Sequence, residues 1–197
     1  MASEVDICNL ALGHIGNQSI NSLTQALPSA IRCNQFYPIA RDAVLRDHKW
    51  NFSTMTETLA EISGESIIGW EYLYAYPARC LLVHSVFDES GLNEDKPQEF
   101  KEMMTPTTLQ KCIAARISPA YAEYTFQVLD TSLYDPLCVL AISYYLGSLI
   151  AKPLTGDINI GKNLMALYAE VISRAKAVNA STGYVKKNPT SSYINAR

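Results

Sequence analysis

The run from Leu137 to Ala151 constrains this chain more than any other stretch. It is apolar almost throughout, interrupted only by Ser143, Gly147 and Ser148. A helix without a polar face must be covered on nearly every side. Asp135-Pro136 opens it with an N-cap acceptor and a proline at the first helical position. Lys152 closes the run and Pro153 is expected to stop it, at a length too short to span a bilayer. Thr155-Gly156-Asp157 offers caps for a second helix. There Leu164, Tyr168, Val171, Ala175 and Val178 fall on one stripe, with Lys162, Glu170, Ser173 and Arg174 largely off it. Leu133 to Ala180 therefore reads as a helical hairpin with one buried arm.

The remaining segments must cover that hairpin. Ser3 to Ala11 reads as a short helix, capped by Ser3, with Glu4 and Asp6 at its positive end and Val5, Cys8 and Leu12 on one face. Gly13 and Gly16 are expected to end it. Pro28-Ser29 starts a longer helix running to about Lys49, with Ile31, Phe36, Ala40, Ala43, Val44 and Leu45 as its apolar side. Asp42 and Arg46 stand i,i+4 and can pair, and Pro38 is expected to kink or split the helix. His48 to Phe52 leaves it and carries two aromatic rings into the core.

Helical periodicity fades between about Ser53 and Asp130. Arg79 to Phe87 is a good strand candidate, Leu109 to Ala115 a weaker one, and Asp88 to Pro97 an acidic turn. Tyr124, Phe126 and Val128 alternate with Thr125 and Gln127, as in a half-buried strand. The expected fold is α+β and mainly α: a helical bundle with an inserted small antiparallel β-sheet and an extended C-terminal arm. Residues 1–180 form a single domain, with helices in 3–52 and 133–180 and a β-rich insertion at about 53–130; residues 181–197 are the arm. The arm is polar and expected to be extended and mobile in the isolated chain, yet it ends in Tyr193-Ile194-Asn195-Ala196-Arg197, side chains a solubility tail would not need.

No catalytic constellation emerges. Gly156 to Lys162 matches G-x-x-x-x-G-K but places Asn163 where a metal-binding Ser or Thr belongs, and follows a helix rather than a strand. His14, His48 and His84 fall on separate elements without ligand spacing, so neither a metal nor a cofactor is expected. The acidic pairs Glu57/Glu61, Asp88/Glu89 and Glu94/Asp95 read as solvated loop residues, not as a glycosidase pair. Trp70, Tyr72, Tyr74 and Tyr76 have the chemistry to stack sugars or bases, but a period-two aromatic run more often packs one face of a sheet. Five scattered cysteines without a CxxC, and no N-terminal basic region before an apolar run, lead to the expectation of reduced thiols and no signal peptide. A hydrophobic share of 48% gives a real core, and a net charge of −3 argues against a tight nucleic-acid grip. The chain is expected not to be an enzyme.

Several segments, taken in order, resemble the head-to-tail adaptor (tail tubular protein A) family of short-tailed, podovirus-like bacteriophages. They are Asp6 to Leu12, Tyr37 to Phe52, Tyr74 to Leu81, Tyr134 to Leu137, Lys152 to Asp157 and the closing Tyr193-x-x-Ala196-Arg197. Lys49 stands where the family often has proline, and Tyr193 where tryptophan is common. The resemblance implies a structural virion protein in the tail, assembled in the host cytoplasm. It further implies a homo-oligomeric ring, a dodecamer, acting as a head-tail connector between the portal protein and the tail nozzle protein. The ring extends the channel through which DNA passes during viral genome ejection, without specific binding and without a membrane. Portal binding would fall to the arm: Tyr184, Lys186, Lys187, Tyr193, Ile194 and Arg197.

Two alternatives stand beside this expectation: a cell-wall glycan hydrolase acting as a lytic tail component, since some adaptor relatives have been credited with lytic activity, and a small cytosolic binding module needing no ring. The purified protein is expected to leave a peptidoglycan zymogram uncleared. A cleared band at its mass would replace the adaptor expectation with the hydrolase.

Overall fold

The computed structural model describes residues 2–94 and 96–182. The fold is α+β and mainly α. In chain order it runs α1 (Glu4–His14), α2 (Pro28–Asp47), β1 (Thr54–Thr58), β2 (Tyr72–Ala75), β3 (Cys80–Phe87), α3 (Glu89–Glu94), β4 (Phe100–Met104), β5 (Lys111–Ala115), β6 (Tyr121–Phe126), α4 (Pro136–Thr155) and α5 (Ile158–Thr182).

The apolar helix α4 is the pillar. None of residues 137–151 is exposed. It packs against α1, α2 and α5, and one hydrophobic cluster joins all four helices. Asp135 accepts the Leu137 amide at 2.7 Å and starts it. Its end differs from the sequence expectation. The helix passes Pro153 and continues to Thr155, stopped instead by Gly156 in the left-handed conformation (φ 76°). The proline sits in the last turn and removes one donor only, while the Gly156 amide donates to the Lys152 carbonyl and Thr155 Oγ1 to the Ala151 carbonyl. At 20 residues α4 is long and apolar enough to cross a membrane; length therefore does not argue against a span, and its packing on three helices is what accounts for its apolar surface.

Close approach within the hairpin relies on two glycines. A Cβ on Gly161 would lie 3.0 Å from the Ser148 backbone oxygen, and one on Gly147 would lie 2.9 Å from Leu164 Cδ1. In α5 the expected stripe holds at Leu164, Tyr168, Val171 and Ala175, with Ile172 added. Val178 departs from it, 46% exposed, because α5 runs on to the segment that follows α2.

Ser3 caps α1 in a reciprocal box with Asp6, and α1 continues through Gly13 to His14. In α2 the buried face is Ala30, Cys33, Tyr37, Ala40, Arg41, Val44 and Leu45; Ile31 is exposed. Pro38 leaves α2 as one element, since it lies on the exposed face and so does Asn34, whose carbonyl it would otherwise have engaged. Asp42 turns to Arg41 (2.8 Å) and Gln127 (2.8 Å) rather than to Arg46.

The insertion is two three-stranded antiparallel sheets, not one: β1-β6-β3 and β2-β5-β4. Single bridges, Glu61 to Tyr74 and Val86 to Gln98, link them at both flanks, so the pairing closes on itself. Inward residues of both sheets (Tyr74, Val83, Val86, Ile113, Ala122 and Tyr124) form one core. Beyond the strands expected, the structure adds β1 and β4 and turns part of the acidic segment into the short helix α3. Phe126 packs on both this core and the helical one, and Leu81 on the helical one, which fixes the insertion to the bundle.

Truncating a fully buried α4 side chain should cost the most. Leu146→Ala is expected to lower unfolding free energy by about 2–5 kcal/mol, and Gly161→Val by about 1–3 kcal/mol through overpacking. Lys162→Ala, one residue away and exposed, should change little. Urea denaturation checks this; equal effects at the three positions would remove the pillar argument.

Candidate docking surface

The residues that looked chemically suggestive are held in structural roles. His14 Nε2 lies 3.2 Å from Ser143 Oγ, with its ring against Tyr144. His84 Nε2 lies 2.8 Å from Thr125 Oγ1. Among the described residues, no group of three or more His, Cys, Asp or Glu is close enough to hold a metal ion. Gly156 and Asp157 make the helix-to-helix turn and Ile158 to Lys162 open α5, with Asp157 capping the Asn159 amide. Asp88 caps α3 through the Gly91 amide and Ser90. Tyr74 is buried and donates to the Ile117 carbonyl at 2.6 Å, with Tyr72 and Tyr76 packed on the same core. Trp70 turns to the outer face of β5 and lies beneath Arg116. Together these aromatics pack on both faces of the sheet β2-β5-β4.

The segments that carry the resemblance fall at joints of the fold. Tyr37, Arg41 and Asp42 line the buried side of α2, and Gln127 from the end of β6 donates to Asp42. Trp50 is buried and donates from Nε1 to the Val44 carbonyl at 3.0 Å, tucking the chain back under α2. Pro77 is buried before β3. Arg79, in the left-handed region (φ 58°), donates to the Gln127 carbonyl at 2.7 Å and covers the Phe126 ring. Such a backbone conformation costs about 1–3 kcal/mol, and these two contacts hold it.

A surface that the sequence did not announce lies at the joint between bundle and insertion. Two adjoining depressions, of about 230 and 480 Å³, share Phe52 and Leu133. The first runs past Trp50 and Tyr134 to Val178 and Asn179 in α5; the second runs past Val128 to Met55 and Leu129. Met55, Leu129, Leu133 and Val178 are all exposed apolar side chains. Asp130 and Asp135 stand on the rim, and both carboxylates cap local turns. The available signal was a loop, Val128-Leu129-Asp130-Thr131-Ser132-Leu133, unusually greasy for a connection between a strand and a helix.

The α5 terminus is clamped beside this surface. Asn179 Nδ2 donates to the Lys49 carbonyl at 3.0 Å and lies 2.6 Å from His48 Nε2. For that contact His48 must be neutral, with its proton on Nδ1. The arm residues Tyr184, Lys186, Lys187, Tyr193, Ile194 and Arg197 lie outside the described residues. Neither a scan of protein-family models nor a search of curated proteins finds a match to this chain.

Burial pushes His14, His48 and His84 below the usual histidine value of 6.5; Lys176 beside His48 and Lys49 beside His84 add to it, while Asp47 and Glu123 oppose it. The folded state therefore binds fewer protons than the unfolded state. Stability is fully present above pH 6.5 and falls as the pH drops below it. The lowered carboxylates, Asp6, Glu65, Asp88 and Asp130, act only below about pH 5. The melting temperature should thus fall between pH 7.5 and 5, and a His14→Gln, His48→Gln, His84→Gln variant should show a flatter profile. Parallel profiles for the two proteins would contradict this.

Proposed function

We propose that this protein is a ring-forming head-to-tail adaptor of a short-tailed bacteriophage, joining the portal protein to the tail nozzle protein and extending the DNA channel. The observation that carries the reading is the ordered set of family-like segments, whose residues coincide with the joints of the fold: Tyr37, Arg41 and Trp50 around α2, Pro77 and Arg79 before β3, Asp135 at the start of α4, Gly156 at the hairpin turn. A structural role is also favoured by the deployment of its histidines and tyrosines in packing, capping and hydrogen bonding within the fold.

The mechanism follows from charge and connectivity. A net charge of −3 provides little attraction for phosphates, and a channel that does not grip DNA lets it slide. The subunit stays monomeric until a portal offers a template. Its C-terminal arm then docks through Tyr184, Lys186, Lys187, Tyr193, Ile194 and Arg197, and neighbouring copies close a heterologous ring. Ordering of the arm is met by the contacts it gains, so attachment depends on those residues and on the portal together.

A chain ended at Thr182, the last residue of α5, keeps the bundle and the insertion. It should co-sediment with purified portal rings at least tenfold less than the full chain while melting within a few degrees of it. Equal co-sedimentation would remove the arm from the proposal.

A further inference from the structure

The exposed groove between bundle and insertion lies where the described chain ends. Val178 and Asn179 line its near end, and Thr182 is one turn further along α5. Fifteen residues follow, 183 to 197, with three cations and no acidic side chain: Lys186, Lys187 and Arg197. The same segment carries Tyr184, Val185, Tyr193 and Ile194. The groove offers an apolar floor of Phe52, Met55, Leu129 and Leu133 with two carboxylates, Asp130 and Asp135, on its rim; Arg79 also lines it, its guanidinium turned onto the Phe126 ring and the Gln127 carbonyl.

We propose that this groove is the docking site of the chain's own C-terminal segment in the isolated subunit. Tyr193 and Ile194 cover Leu129, Leu133 and Met55, and the basic side chains face Asp130 and Asp135. Reach is no obstacle, since fifteen extended residues span up to roughly 50 Å. Tethering favours the intramolecular site, because a segment anchored at the groove's edge meets it at an effective concentration in the millimolar range. The proposal replaces the expectation of a mobile arm in the isolated chain with a held one, and it does not require a portal. If the portal reading also holds, the groove is a latch: it shields apolar surface on the free subunit, and a receiving partner must draw the segment out before copies associate.

The experiment uses the full chain with p-benzoylphenylalanine in place of Tyr193, irradiated at low micromolar concentration and read by peptide mass spectrometry. The expected result is a concentration-independent cross-link within the monomer, to peptides containing Met55, Leu129 or Leu133. Leu133→Asp should reduce its yield at least fivefold and speed amide hydrogen exchange over residues 184–197 to near that of an unstructured peptide. Met55→Lys, also at an exposed position, serves the same purpose if Leu133→Asp fails to fold. Cross-links found only in dimers, cross-links to other surfaces, or unprotected amides in the unaltered chain would each overturn the proposal. Failure here leaves portal co-sedimentation free to succeed, so the two readings are separable.

Discussion

A helix in which residues 137–151 include none in open solvent has to be surrounded before it is stable, and three other helices surround α4. Each contributes differently. Helix α5 approaches closely at Gly161 and Gly147, while α1 and α2 supply small or flat side chains: Ala11, Cys8, Ala30, Cys33 and Ala40. Burial of Ile142, Leu146 and Ile150 alone is worth about 1.5–3 kcal/mol each. A bundle closed this way encloses α4, while apolar side chains stay exposed on the outer faces of α2 and α5 (Ile31, Ile39, Ile158, Met165) and where α5 runs on to the segment after α2.

That last place is also where the insertion joins. The strands close on themselves through two single bridges, so the insertion brings its own core and meets the bundle through few residues. Phe126 faces both cores, Gln127 reaches Asp42, and Lys49 pairs with Glu123 at 2.7 Å. The joint is polar and hydrogen-bonded on one side. On the other it leaves Met55, Leu129 and Leu133 in the open.

Much of this was legible in the sequence because it rests on local chemistry. Asp135-Pro136 marked the start of α4, Ser3 the start of α1, and the apolar run its burial. Ends were less legible: Pro153 reads as a stop, yet a single missing donor in a last turn is tolerated, and the Gly156 αL residue decides the boundary. The buried face of α2 was legible at Ala40, Val44 and Leu45 but not in its first turns, where hydrophobicity alone favours Ile31 over Ala30, Cys33 and Tyr37, whereas close packing selects small and flat residues. Strands β1 and β4 escaped because they alternate weakly; Thr54–Thr58 is mostly exposed and its place is set by pairing with β6. The groove was legible only as a greasy loop at Val128 to Leu133, since Phe52, Leu133 and Val178 meet only in three dimensions. The hairpin turn, by contrast, was read correctly as a cap although its letters imitate a phosphate loop.

The adaptor reading joins these strands of argument: a body stabilised by an enclosed helix, histidines and tyrosines used in structure, and a basic, partly apolar C-terminal segment. Its central claim is that assembly is templated. Negative-stain imaging of the full-length protein, alone and with purified portal, tests that most directly. The account predicts separate subunits alone and a continuous ring seated on the portal when the two are mixed. Subunits that remain dispersed in the presence of portal, or that close rings without it, would contradict it.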